Sequence, residues 1–412
     1  MAEGRKLVFD LESDNLLDQM TVIHSLCIAD FVTGEAWSFA DQEGYRPITE
    51  GLKMLEDAEW ICGHNVIAFD LPAIAKIYPD FKEPEVVYDT LVMARMFYPD
   101  IMGPDQALVA KGVLPKQMQG GYSLEAFGHR LGLWKGDYAK EMKAQGLDPW
   151  STWNEEMQRY CELDVVVTTR LMRNLRREWL GGSNKKKING REVTVQTWAH
   201  SDQSVKLEMS VARIISRQMQ WGFKFDVKAA EKLYVDLLAE RDRLAAALKV
   251  SFRPWWKPAG IVKIPKTRRV QRKDLPPVSY RTKRNGDQEP VYPKEVYEEG
   301  AVYTKIELTE FNPASGHHII DRLQKLFGWV PTEFAPSGLA KTDEDTLSDL
   351  PWPEAKLLTE YLTIAKRVGQ VAEGKQAWLK KERQGRIYGS VKSTGAVTRR
   401  MTHSDPNVAQ VP

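Results

Sequence analysis

Cysteine is scarce in this chain, and the three present, Cys27, Cys62 and Cys161, lie far apart. They match no zinc-ligand spacing and give no disulfide framework, which fits a reducing, intracellular setting. Histidine is equally thin. Its seven residues are dispersed, and His317-His318 reads as a helix-surface pair rather than a metal site. No run of about 18 apolar residues occurs, so no membrane-spanning helix is expected. The opening Met1-Ala2-Glu3-Gly4 lacks the apolar core of a signal peptide. What remains is a globular composition, 42% hydrophobic and 28% charged, in a 412-residue chain long enough for two or more domains.

Charge is nearly balanced overall, at +2, but not along the chain. Residues 1–200 hold 22 Lys/Arg against 30 Asp/Glu, a net of −8; residues 201–412 hold 36 against 26, a net of +10. An acidic half beside a basic half suggests catalysis in one and polyanion binding in the other; chance surface variation is the plain alternative.

The acidic half contains three short patterns. Phe9-Asp10-Leu11-Glu12 follows Lys6-Leu7-Val8 and reads as the end of a buried strand. Residues i and i+2 of a strand share a face, so Asp10 and Glu12 project together. Two adjacent carboxylates repel unless a cation lies between them, and hard cations such as Mg²⁺ prefer such oxygens. A strand end with two solvated acids is the bland alternative. His64-Asn65-Val66-Ile67-Ala68-Phe69-Asp70 follows a second apolar strand at Trp60-Ile61-Cys62. Asp70 could equally be the N-cap of a helix over 71–77 with Pro72 in its first turn, and both roles are compatible. Asp89-Thr90 opens a helix over 91–97, and there capping is the preferred reading. Tyr160-Cys161-Glu162-Leu163-Asp164 lies within a helix over 154–179, where Tyr160 and Asp164, at i and i+4, share a face.

D-x-E, then N-x-x-x-F-D, then Y-x-x-x-D, in that order, resembles the three motifs of the DnaQ-like 3′→5′ exonucleases, with the Tyr marking the DEDDy branch. The resemblance implies an α/β ribonuclease H-like domain with catalytic Asp10, Glu12, Asp70, Tyr160 and Asp164. It further implies two Mg²⁺ (or Mn²⁺) ions on Asp10, Glu12, Asp70 and Asp164, hydrolysing phosphodiesters to nucleoside monophosphates. Tyr160 would orient the water, a phenol being too weak an acid to act as base at neutral pH.

The rest of the chain is read in order. Strand-like runs over 5–40, with a turn at Val32-Thr33-Gly34, predict a three-stranded antiparallel meander. Residues 99–123 read as a long loop, and 123–131 as a helix. Gly181-Gly182-Ser183-Asn184-Lys185-Lys186-Lys187 reads as a solvated linker. Helical patterns follow over 204–220, 227–250, 315–327 and 353–381. Residues 253–294, with seven Pro, twelve Lys/Arg and three Asp/Glu, read as an extended, mobile insertion.

The final stretch, Gly395-Ala396-Val397-Thr398-Arg399-Arg400 to Ser404-Asp405-Pro406-Asn407-Val408-Ala409-Gln410-Val411-Pro412, resembles the palm-entry motif of family A, DNA polymerase I-like enzymes. The order of parts is similar to the replicative polymerases of short-tailed T-odd phages. The expected organisation is an exonuclease domain over 1–182, a linker over 183–203, a mainly α-helical thumb over 204–384 with a basic insertion over about 253–305, and the start of a palm over 385–412. The resemblance implies primer-template contacts for Arg400, Asn407 and Gln410, while Arg399 replaces a family Gly. It implies primer-template DNA and single-stranded 3′ ends as ligands, host thioredoxin or another processivity factor as a partner of the insertion, and the cytoplasm of an infected bacterium as location. Because the palm aspartates would lie past Pro412, the expectation is either the N-terminal subunit of a split polymerase, which needs a separate palm-and-fingers chain to polymerise, or a truncated polymerase, with the split subunit the preferred reading. A stand-alone DEDDy nuclease and a non-catalytic DNA-binding clamp are the competing readings.

Overall fold

Leu7, Val8, Phe9 and Leu11 alternate between the two faces of Lys6–Ser13 (β1), and all four are buried. A strand with apolar residues on both faces belongs inside a sheet covered on both sides. The computed structural model places β1 there. Ile23–Asp30 (β2) runs antiparallel beside it, and Ala36–Phe39 (β3) antiparallel to β2. Trp60–Gly63 (β4) and Val87–Asp89 (β5) add in parallel on the other side, giving the order β3-β2-β1-β4-β5. The expected meander is the antiparallel half of this sheet. The structure describes residues 4–133, 136, 138–181, 183–188, 191–196, 200–262, 267–298 and 303–409. It divides into two compact units, Met1–Phe225 with Lys381–Pro412, and Asp226–Lys380.

In the first unit the strands alternate with helices: Ile48–Glu56 (α1), Asp70–Ile77 (α2), Thr90–Phe97 (α3), Met102–Ala110 (α4), Leu124–Leu131 (α5), Tyr138–Ala144 (α6) and Glu155–Leu180 (α7). α7 packs on β1 and β2, with Met157, Cys161 and Val165 buried along one face. Its start is fixed by Asn154, whose side chain accepts from the Met157 amide at 2.8 Å. The stretch 99–123, expected as a loop, contains α4. This region is held by a buried pair: Arg130 donates to both carboxylate oxygens of Asp105, at 2.9 and 2.7 Å, and to the Gly121 carbonyl at 2.7 Å. Ser183–Ile188 (β6) and Arg191–Gln196 (β7) form an antiparallel hairpin where a solvated linker was expected. Asp202–Trp221 (α8), grouped with the thumb helices in the sequence reading, falls in the first unit and packs against α3 and β5. So does the C-terminal segment, where Ser390–Lys392 pairs antiparallel with Thr402–Ser404.

The second unit is built on Val227–Ser251 (α9), Gly316–Phe327 (α10), Glu344–Ser348 (α11) and Pro353–Val368 (α12). Leu244, Leu248, Phe252, Phe311, Leu323 and Leu358 form its core. The helix expected over 353–381 stops at Val368, followed by one wider turn at Gly369–Glu373 and a short helix at Trp378–Lys381. The insertion is not a structureless excursion. Trp255–Val262 pairs with Tyr303–Thr309, Thr267–Gln271 with Lys294–Glu298, and Ser279–Thr282 with Gln288–Val291. Each pair nests inside the one before. Ladder hydrogen bonds satisfy the backbone here although little apolar surface is available to bury.

Candidate nuclease site

β1 delivers the first two acids. Asp10 lies opposite Cys27 of β2 and Glu12 opposite Ser25, with a register irregularity immediately after Glu12. Asp10 is 9% exposed. Ligand atoms of Asp10, Glu12 and Cys161 lie within 4.8 Å of one another, the one such grouping among the described residues. The Cys161 thiol donates to the Asp10 carbonyl at 3.3 Å, and burial, then the neighbouring Cys27 thiol and the Asp10 and Glu12 carboxylates, push its pKa well up. It therefore stays protonated, leaving the oxygens as the donors, a set suited to a hard divalent cation.

Asp70 and Asp164 stand outside that tight group and feel each other's charge. Asp70 does not cap α2: the N-cap position is Phe69, with no side-chain cap bond, and Asp70 is the first helical residue. Its carboxyl, 3% exposed, accepts from the Leu11 amide, between Asp10 and Glu12. Burial raises its pKa to about 8, with the charges of Asp89 and Asp164 adding to the rise. A carboxyl held this far from its ordinary range by burial and like charge is one that a cation would relieve.

The loop before Asp70 is fixed by Asp89. The cap expected there is present, the carboxylate accepting from the Leu91 and Val92 amides of α3 at 2.9 and 3.4 Å. It also accepts from the Asn65 and Ile67 amides, at 2.9 and 3.1 Å. His64 completes the clamp, its Nε2 donating to the Tyr122 carbonyl at 3.0 Å, since a carbonyl can only accept. Nothing in the sequence pattern announced this second role of Asp89, which is made by residues more than twenty positions away.

α7 supplies Tyr160 and Asp164 on one face. The Tyr160 ring packs against Tyr138 and Trp150, at 5.6 and 6.1 Å between centroids. The Tyr138 hydroxyl is itself tied to the Pro149 carbonyl and the Asn154 amide, at 2.7 and 2.9 Å. Asp10, Tyr160 and Asp164 open onto a cleft of about 830 Å³ whose other walls include Asn65, Arg95 and Tyr122, and Lys392 and Thr394 of the C-terminal segment. A larger cleft, about 1180 Å³, lies along α2 and α8. Its acids Asp18 and Glu83 are ion-paired to Arg383 and Arg213, so it offers no comparable carboxylate set.

Of the residues expected to contact primer-template DNA, Arg400 is exposed, and Asn407 turns its side-chain oxygen to the Ala409 amide at 3.0 Å. Neither lines the acidic cleft. Gln410 lies outside the described residues.

No protein-family model matches the chain. It is 35% identical, over 98% of its length, to the DNA-directed DNA polymerase of Enterobacteria phage T3 and, over the same share, to that of Escherichia phage T7. A solved structure, the POL domain of Pol1 from M. smegmatis in complex with DNA primer-template and dNTP, matches all of the chain and 53% of its own, with a TM-score of 0.53 and 13% identity. That likeness speaks to the fold alone. The chain spans 62% of the length of the two phage relatives. Its similarity to the T3 and T7 phage DNA polymerases thus runs over nearly all of its own residues.

Proposed function

We propose that this chain is the proofreading and thumb portion of a phage replicative DNA polymerase, and that the acidic cleft removes nucleotides from 3′ ends. The observation that carries the reading is the convergence of Asp10, Glu12, Asp70 and Asp164 from β1, α2 and α7, with Asp70 raised to about 8 beside its neighbours' charges. The strand order, with α7 across β1 and β2, supports a ribonuclease H-like domain. The oxygen donor set fits two Mg²⁺ ions, which when bound supply an activated water and a stabilised leaving oxygen. Asp10, Glu12, Asp70 and Asp164 would hold them. Tyr160, braced by Tyr138 and Trp150, orients the attacking water. Single-stranded 3′ ends enter the cleft more readily than paired ones.

Arg400, Asn407 and Gln410 would contact the primer-template duplex, and the basic insertion would bind DNA or dock a processivity factor such as host thioredoxin. The chain's place of action would be the cytoplasm of the infected host. No helix among the described residues is long and apolar enough to cross a membrane.

The decisive experiment replaces both first-strand acids. Asp10→Ala with Glu12→Ala should abolish Mg²⁺-dependent digestion of a single-stranded oligonucleotide while leaving the circular-dichroism spectrum unchanged. Digestion by the double variant at the wild-type rate would refute the site.

A further inference from the structure

The cleft contains a cation that the acidic residues do not explain. Arg95 projects from α3, is half-buried, and lines the same cleft as Asp10, Tyr160 and Asp164. Among the described residues it makes no hydrogen bond and no ion pair. Asp89 acts on it through charge, but that carboxylate already accepts from four backbone amides. A guanidinium carries five N–H donors in a planar fork, and those of Arg95 have no protein acceptor among the described residues and line an open cleft. A second unsatisfied donor faces the same space. Thr394, from the C-terminal segment, is 6% exposed, and its hydroxyl has no partner among the described residues.

Both donors want an anionic oxygen acceptor. A planar fork and a hydroxyl lining one cleft suit a phosphodiester, whose two free oxygens can be held at once. We infer that Arg95, assisted by the Thr394 hydroxyl, grips a backbone phosphate of the strand whose 3′ end lies at Asp10 and Asp164. The inference rests on the nuclease reading for where the 3′ end lies. It assigns Arg95 a binding role, to the strand and not to the reacting atoms.

The test measures binding without chemistry. The full chain in EDTA is titrated with short 5′-labelled oligothymidylates, one unmodified and a series each carrying a single neutral methylphosphonate. Arg95→Met should weaken binding of the unmodified strand about 10- to 100-fold, the worth of a charge-assisted pair. The slope of log affinity against log salt should become shallower by about 0.7, as for one lost phosphate on a single strand. Wild type should be sensitive to methylphosphonate at one position, and Arg95→Met insensitive there. Arg95→Lys, keeping the charge without the fork, should fall between the two. Thr394→Val should show a smaller loss confined to that position. An unchanged affinity and slope for Arg95→Met overturns the inference, as does a loss of equal size at every methylphosphonate position. If Arg95→Met fails to fold, the fingerprint of Arg95→Lys decides by the same criteria. Failure of the wild-type chain to digest DNA with Mg²⁺ present would sink the nuclease reading instead, and the fingerprint would still decide whether Arg95 holds a phosphate.

Discussion

Arg399 stands at φ +62°, in the left-handed region that glycine adopts without steric cost. The sequence comparison had marked it as a departure from a family Gly; the backbone keeps the glycine conformation and carries a side chain in it. A non-glycine residue there is strained by roughly 1 kcal/mol. Arg399→Gly should therefore raise stability by up to about 1 kcal/mol, offset in part by the greater freedom of glycine in the unfolded chain. The charge has a second effect. Burial, followed by Arg399, holds the His200 pKa below its usual value, so the same substitution should move it upward in an NMR titration. A lower melting temperature with an unmoved His200 would contradict both statements.

Asp70 gives a pH prediction of opposite character. Its folded pKa of about 8 lies above the ordinary 3.8, so between those values the folded state holds a proton that the unfolded state has lost. Stability from this group therefore falls as pH rises from about 4 to 8. Asp89, also pushed up by burial, works in the same direction. Without divalent ions the melting temperature should decline across that window, and Asp70→Asn should flatten the decline. Mg²⁺ should raise it more at pH 8 than at pH 5. A profile unchanged in Asp70→Asn would mean that the acid is not held as described.

Among the elements, β1 and α7 were legible because each announces itself by a local period. Acids two apart on an apolar strand and polar residues four apart on a helix are patterns inside one window of sequence. The wall opposite them was not legible. α4 has no clear apolar face in Met102-Gly103-Pro104-Asp105, and its anchor, Arg130, is twenty-five residues away. Arg95 and Thr394 escaped notice for the same reason: only the fold brings α3 and the C-terminal segment to one cleft. Asp105→Ala would leave a buried guanidinium without its partner, a loss of about 3–5 kcal/mol. It should also slow digestion, because the Gly121 and Tyr122 carbonyls that hold Arg130 and His64 belong to the loosened wall. Asn154→Ala removes the α7 cap, costing about 1 kcal/mol. It also removes one of the two bonds on the Tyr138 hydroxyl, whose ring packs on Tyr160, so the rate should drop more than stability alone predicts; an unchanged rate would show that this bond is dispensable to the aromatic brace.

For the whole molecule, the charge asymmetry of the two halves of the sequence shrinks between the units, the first holding 32 Lys/Arg against 34 Asp/Glu and the second 26 against 22, so the basic character is concentrated in the insertion. The acidic cleft is in the first, and the basic insertion is in the second. Deleting the insertion should flatten the salt dependence of DNA binding, by about 0.9 in slope for each duplex phosphate it neutralises. An unchanged slope, with no partner lost, would leave it without a binding role. The units also explain why the sequence placed α8 differently. Its helical period fits either neighbour, and only packing against α3 and β5 assigns it.

Trp255 and Thr309 face each other across the first ladder of the insertion. The chain leaves the helical unit and returns to it at adjacent points, so everything between them behaves as a cassette on a common stem. Its length and composition can change without moving the helices on either side, because the ends that must meet are already joined. Grafting a foreign hairpin onto that stem, or trimming this one, is thus a question of two strand partners and not of the unit's core.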